Sequence, residues 1–293
     1  MQTRELIARV RKIEIRTRKT VEDIIGGAYH SMFKGRGIEF SEVRPYVPED
    51  DVRDIDWNVT ARTGTAHIKK YVEERELTVL LAVDISSSMR FGSGDETKSE
   101  TAASLAALLA FSAIRNHDKV GLILFSDKVD FFLPPRAGRR HVLRILRELV
   151  AREPEPDRKT DLVSPLKFIA RAQKKRAVVF LIGDFAECGD FERSLKLLER
   201  KHDAAAFRVH DPFEEKIRLS GLRLNLRDSE SGEIFFAGAA PSRYAAAQQT
   251  LRAETREIFR RVGVDMVDLT AGEDIVRPLI GFFRSRRRGT GRI

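Results

Sequence analysis

The run Asp84-Ile85-Ser86-Ser87-Ser88 places a carboxylate and two hydroxyls at alternate positions of one short segment. In a tight loop such spacing turns three oxygen donors to one side. An oxygen-only donor set suits a hard cation such as Mg2+, held in an octahedral shell at about 2.0–2.1 Å. Two later places could complete the shell. Thr160-Asp161 follows the turn Pro154-Glu155-Pro156, and Asp184 closes the apolar run Phe180-Leu181-Ile182-Gly183. A capped turn is the competing reading of the first run, because Asp and Ser also favour helix N-caps and turns. For Asp161 the cap is the stronger reading, and for Asp184 taken alone the structural and functional readings are even.

Those residues become a site only if strands deliver them to one edge. Residues 77–84 form a nearly continuous apolar run ending in an acid, the pattern of a strand buried on both faces. Further strands are expected at 119–125, 176–183, 204–209 and 264–269, with a short edge strand at 129–133. Between them, helical patterning spans 102–114, 141–150, 164–174, 191–201, 242–262 and 274–283. Strands alternating with helices imply an α/β fold whose mostly parallel central sheet is covered by helices on both faces. In such sheets ligands bind beyond the carboxyl ends of the strands, where Asp84 and Asp184 fall.

Two stretches depart from that rhythm. Residues 4–25 read as an amphipathic helix halted by Gly26-Gly27, followed by an irregular arginine- and acid-rich segment with one expected strand at 66–71. Polar–apolar alternation around Asp228-Ser229-Glu230-Ser231-Gly232 suggests an inserted antiparallel hairpin. The resulting division is an N-terminal helix and segment at 1–76, an α/β domain at 77–285 carrying the hairpin at about 213–240, and a basic tail at 286–293.

Composition narrows the function classes. Hydrophobic residues at 42% against 33% charged suit a globular core. No run approaches the roughly 18 apolar residues of a membrane span, the charged start lacks a signal-peptide h-region, and Cys188, the single cysteine, excludes an intrachain disulfide. A cytoplasmic protein is expected. The net charge of +9 concentrates at Arg9–Lys19 and Arg284–Arg288, without the aromatic interleaving of single-strand binders, so nucleic acid is not the favoured partner. Gly92-Ser93-Gly94 is followed by no P-loop Lys, and the histidines lack zinc spacing. Cys188 reads as a passive small residue. Trp57 and Tyr46 are expected to pack the N-terminal segment onto the core, and Arg44, Arg53 and Arg62 to pair with Asp50, Asp51 and Asp56.

Taken together, Asp84, Ser86 and Ser88, then Thr160, then Asp184 resemble the metal-ion-dependent adhesion site of von Willebrand factor A domains, and Met89 directly after Ser88 is also similar to the family's form. The resemblance implies a von Willebrand factor A-like (Rossmann-like) fold. It also implies that Ser86 and Ser88 bind metal directly, Thr160 directly or through water, and Asp84 and Asp184 largely through waters or hydrogen bonds. Mg2+ is the expected ion, with Mn2+ or Ca2+ as alternatives. A narrower resemblance covers nearly the whole chain. Gly35-Arg36-Gly37-Ile38-Glu39-Phe40, Arg44-Pro45-Tyr46, Asp50-Asp51-Val52-Arg53, Ile55-Asp56-Trp57, Ala61-Arg62 and Asp211-Pro212-Phe213-Glu214 are similar to the bacterial domain-of-unknown-function 58 family. That resemblance implies an adaptor for a MoxR-type AAA+ ATPase. Lys159 departs from the pattern, standing before Thr160 where a small residue is expected.

With neutral hydroxyls on the ion and carboxylates behind them, the cation would keep charge for an acidic residue of a partner. The expected function is therefore a non-enzymatic protein-interaction module. The rival readings are an Mg2+-dependent phosphohydrolase using Asp84 and nucleic-acid binding through the basic C-terminus. The first normally needs an acid/base carboxylate two residues after the nucleophile, and Ser86 stands there.

Overall fold

Strands Thr78–Asp84 (β3), Lys119–Phe125 (β4), Val178–Gly183 (β6) and Asp203–His210 (β7) are apolar along nearly their whole length because both of their faces are covered. In the computed structural model these four are the interior of a six-stranded sheet. The structure describes residues 39–289 except 49, 73–75, 153–157, 187, 216–224, 228–233 and 237–240; before residue 39 it describes residues 10, 11, 13, 14, 17, 20, 28 and 29. Val129–Arg136 (β5) closes one edge antiparallel to β4, and Asp265–Thr270 (β10) closes the other parallel to β7, in the order β10-β7-β6-β3-β4-β5. Two small antiparallel pairs stand outside this sheet. Glu39–Pro45 (β1) joins His67–Val72 (β2), and Asn225–Arg227 (β8) joins Ile234–Phe236 (β9). The second pair is the expected inserted hairpin, although its turn residues lie outside the described chain.

Side-chain alternation along β3 divides the core. Val79, Leu81 and Val83 point into one cluster, shared with Lys98–Arg115 (α2), Arg139–Ala151 (α3) and Val276–Gly289 (α8). Leu80 and Ala82 point into the other, shared with Val163–Ala172 (α4), Glu192–Lys201 (α5) and the Phe259 turn of Pro241–Val262 (α7). Helix α2 lies on the sheet through Ala102, Ala106, Ala110 and Ala113, all buried; small side chains let its backbone come close. Its start is a full capping box, with Thr97 Oγ1 accepting from Glu100 N and Glu100 Oε2 from Thr97 N. This is the layered α/β fold, a mostly parallel sheet with helices on both faces, that the sequence implied.

Between β1 and β2 a short helix, Trp57–Thr63 (α1), stands where the sequence suggested only irregular chain. Asp56 caps it, accepting from the amides of Asn58 and Val59. The expected charge pairing is only partly there. Arg44 forms a two-pronged bond with Asp50 at 2.6 and 2.9 Å, but Asp51 accepts from the Arg53 amide rather than its guanidinium. Trp57 does not pack onto the core: it is 68% exposed on the first turn of α1, a helix with no buried residue. Of the expected N-terminal helix, the described residues Val10, Arg11, Ile13, Glu14, Thr17 and Thr20 are helical; the remainder lies outside the described residues. Val10, Ile13, Ala28 and Tyr29 pack against the first cluster. The expected basic tail at 286–293 begins inside a helix, and its residues 290–293 lie outside the described residues. Helix α8 runs on to Gly289 because Arg286 reaches Asp203, Asp265 and the Ala204 carbonyl. The short Pro212–Glu215 helix (α6) follows β7 directly.

Candidate functional site

Asp84 is the last residue of β3, held between Phe125 of β4 and the end of β6. The chain then folds back tightly: Asp84 Oδ1 accepts from Ser86 N at 2.8 Å, and a 3-10 turn follows at Ser87–Arg90. This brings the Ser86 and Ser88 hydroxyl oxygens to 3.1 Å of each other. Ser87 faces the other way and pins a second loop, its amide and hydroxyl both donating to the Arg158 carbonyl, at 3.0 and 2.8 Å. Arg158 in turn grips Asp127 and Asp130 after β4, and the Asp161 amide donates to the Ser126 carbonyl. Thr160 is thereby carried to the first loop, its Oγ1 3.5 Å from Asp84 Oδ2.

The third loop arrives on β6. Gly183 must be glycine, because a Cβ there would lie 2.8 Å from the Asp84 Cβ and 3.0 Å from its Oδ2. That close approach sets Asp184 beside the hydroxyl loop, where Ser88 helps to hold its carboxyl low. Exposures of 1% for Asp84, 0% for Ser86, 8% for Ser88 and 6% each for Thr160 and Asp184 show that all five candidate residues are buried together. Asp161 is used as the sequence suggested, accepting from the Val163 and Ser164 amides at the start of α4. Lys159 is exposed, whereas Thr160 beside it is buried. Cys188 is buried and, as the single cysteine, forms no intrachain disulfide. Among the described residues no group of three or more His, Cys, Asp or Glu could hold a metal ion. Any cation here would have to use hydroxyl oxygens, and the donors present, Ser, Ser and Thr with Asp behind, have the hard-oxygen chemistry that Mg2+ or Mn2+ accepts.

Sequence reasoning missed the cation already present. Lys98, 1% exposed, puts its Nζ 2.9 Å from Asp184 Oδ2 and 2.7 Å from Glu214 Oε1. Burial by itself would push the ammonium down, but the charges of Asp184 and Glu214 outweigh it and hold the pKa above the ordinary lysine value. Burial likewise works to raise Asp184, and Lys98, the Ser88 hydroxyl and the Ala186 amide overcome it and hold that carboxyl below the usual range. The signal was there to read: Lys98 stands one turn before Ala102 on the buried stripe of α2. Glu214 belongs to the Asp211–Glu214 run, which straps the rim of the site. Asp211 accepts from the Ser93 hydroxyl and amide at 2.6 and 2.7 Å, and Phe213 stacks on Phe91 with centroids 6.4 Å apart.

The profile of the family described as "Protein of unknown function DUF58" matches residues 42–257. The chain belongs to this family. The matched region contains all five candidate residues together with Lys98 and Glu214. Uncharacterized proteins of Mycobacterium bovis and Mycobacterium tuberculosis are 29% identical over 97% of this chain and 91% of their own length. Among solved structures, an aerotolerance-related membrane protein from Bacteroides fragilis is 20% identical over 73% of this chain and 99% of that one, with a TM-score of 0.50. The SpRpn10 VWA domain is 12% identical over 71% of this chain and 95% of that chain, with a TM-score of 0.38. The DUF58 chain described here shares its fold with the Bacteroides fragilis protein; no helix among its own described residues is long and apolar enough to cross a membrane.

Proposed function

We propose that this DUF58-family chain is a metal-ion-dependent protein-interaction module and not an enzyme. Ser86, Ser88 and Thr160 would hold Mg2+ or Mn2+ through their hydroxyl oxygens, with Asp84 and Asp184 orienting them and balancing charge from behind. Bound there, the ion would supply a positive centre to which a partner's carboxylate could attach, a charge-assisted contact strengthened by the partly dry surroundings. The observation that carries the reading is the meeting of three separate loops, with Thr160 Oγ1 at 3.5 Å from Asp84 and the Ser86 and Ser88 oxygens 3.1 Å apart.

The residues argue against phosphoryl transfer through Asp84. That side chain is 1% exposed, its Oδ1 is occupied by the Ser86 amide, and Ser86 stands where an acid/base carboxylate would be needed. The partner that the family resemblance favours is a MoxR-type AAA+ ATPase offering an acidic residue. The test is capture of such an ATPase from the same genome by the full chain in Mg2+ and in EDTA, with Asp84→Ala alongside. Capture should weaken at least about tenfold on chelation and in the variant, with circular dichroism unchanged. Capture that survives both treatments would sink the proposal, and Mg2+-dependent turnover of phosphate esters lost in Asp84→Asn would replace it with a hydrolase.

A further inference from the structure

An ammonium buried at the first residue of a helix is disfavoured twice. The helix N-terminus is itself electropositive, and desolvation penalises the charge. Lys98 is the first residue of α2 and is 1% exposed. It is kept there by carboxylates from two different loops, Asp184 after β6 and Glu214 on α6. Arg252 of α7 adds a longer contact to Glu214 at 3.7 Å. Asp184 is thus divided between two tasks. Its Oδ2 takes the ammonium and its Oδ1 accepts from the Ala186 amide, while the neighbouring Ser88 of the proposed metal loop helps hold the same carboxyl low.

We propose that Lys98 is a built-in counter-cation that sets how strongly this site holds a divalent ion, with Glu214 tuning it from the far side. The proposal rests on the metal reading above. Asp84 and Asp184 bring two negative charges to the pocket, and Lys98 cancels one of them at 2.9 Å. A divalent ion beside Ser88 would sit close to a fixed like charge, and such repulsion in a partly dry site changes affinity by about a power of ten or more. Metal held this weakly gains most from an added carboxylate. Metal and an acidic partner therefore bind cooperatively, each raising the affinity for the other. Glu214 draws part of the ammonium's field away from the metal loop, and its helix is tied to the loop after Ser88 through Asp211–Ser93 and Phe213–Phe91. Neutralising Glu214 leaves the Lys98 charge undiluted and weakens the metal.

The experiment is titration of the full chain with Mn2+, free ion counted by electron paramagnetic resonance, for wild type, Lys98→Met, Glu214→Gln and Asp84→Ala, with folding checked by near-ultraviolet circular dichroism. Lys98→Met should bind Mn2+ at least about tenfold more tightly than wild type, Glu214→Gln about threefold more weakly, and Asp84→Ala should not bind. A folded Lys98→Met chain with unchanged or weaker affinity overturns the proposal, as does tighter binding by Glu214→Gln. If Lys98→Met does not fold, the sign of the Glu214→Gln effect decides. Binding by wild type that is lost in Asp84→Ala but not improved in Lys98→Met removes this inference and leaves the interaction module standing. Binding by Lys98→Met alone supports the counter-cation in its strongest form and removes the metal from the native chain. No binding by wild type, Lys98→Met or Glu214→Gln removes both.

Discussion

Asp184 and Asp118 are buried at opposite ends of the same sheet, one just after β6 and the other just before β4, and their surroundings treat them oppositely. Asp184 has an ammonium at 2.9 Å and is held below the ordinary carboxylate range, even though burial acts to raise it. Among the described residues the Asp118 carboxylate is hydrogen-bonded by two neutral donors, the Leu77 amide and the Tyr29 hydroxyl, each at 2.9 Å, and burial pushes it up to about 6. Both carboxylates are well bonded. A formal counter-charge, and not the number of hydrogen bonds, decides whether a buried carboxyl ends below or above its ordinary pKa. The Asp84 end of the sheet is built to keep charge, and the Asp118 end is built to hold the segment carrying Tyr29.

The sharpest way to break this contrast is to remove the counter-charge. Lys98→Met leaves Asp184 and Glu214 without their shared cation, and urea unfolding at pH 7 should show a loss of about 3–5 kcal/mol. A loss below about 1 kcal/mol, the scale of an exposed pair, would mean that water already screens the cluster. The next largest effect has the opposite sign. The folded pKa of Asp118 lies above its unfolded value, so its contribution is fully present below the unfolded value near 3.8 and is lost as pH rises through about 6. Asp118→Asn keeps an acceptor for the Leu77 amide and removes the ionisation penalty. At pH 8 the variant should be more stable by about 2–3 kcal/mol, and calorimetry from pH 4 to pH 8 should show the gap opening across that window. A gap independent of pH would show that Asp118 is not the titrating group. The smallest effect belongs to Tyr29→Phe, which deletes one donor to Asp118. It should cost about 1 kcal/mol in urea and move the pH at which stability falls upward.

Much of the molecule was legible in the chain itself. The strand 119–125 and its neighbours announced themselves because doubly covered strands must be apolar throughout, and the hydroxyl loop after β3 was visible as a spacing of residue types. Elements outside that rule were harder. Helix α1 has no buried residue and so no apolar stripe to give it away, and α8 extends past Phe283 through bonds made by Arg286 to β7 and β10, which local pattern does not contain. Lys159, next to Thr160 in sequence, was the cation to watch; the one that enters the site is Lys98, far from Thr160 along the chain.

Local periodicity thus determined which segments are strands, which faces are buried, and that Asp84, Ser86, Ser88, Thr160 and Asp184 lie at strand ends or loops. Only the tertiary structure decided that Lys98 meets partners 86 and 116 residues away in Asp184 and Glu214. The reason is physical. Periodicity reports how much water a side chain loses, whereas the meeting of buried charges depends on the order in which strands join the sheet, and no short stretch of sequence encodes that order.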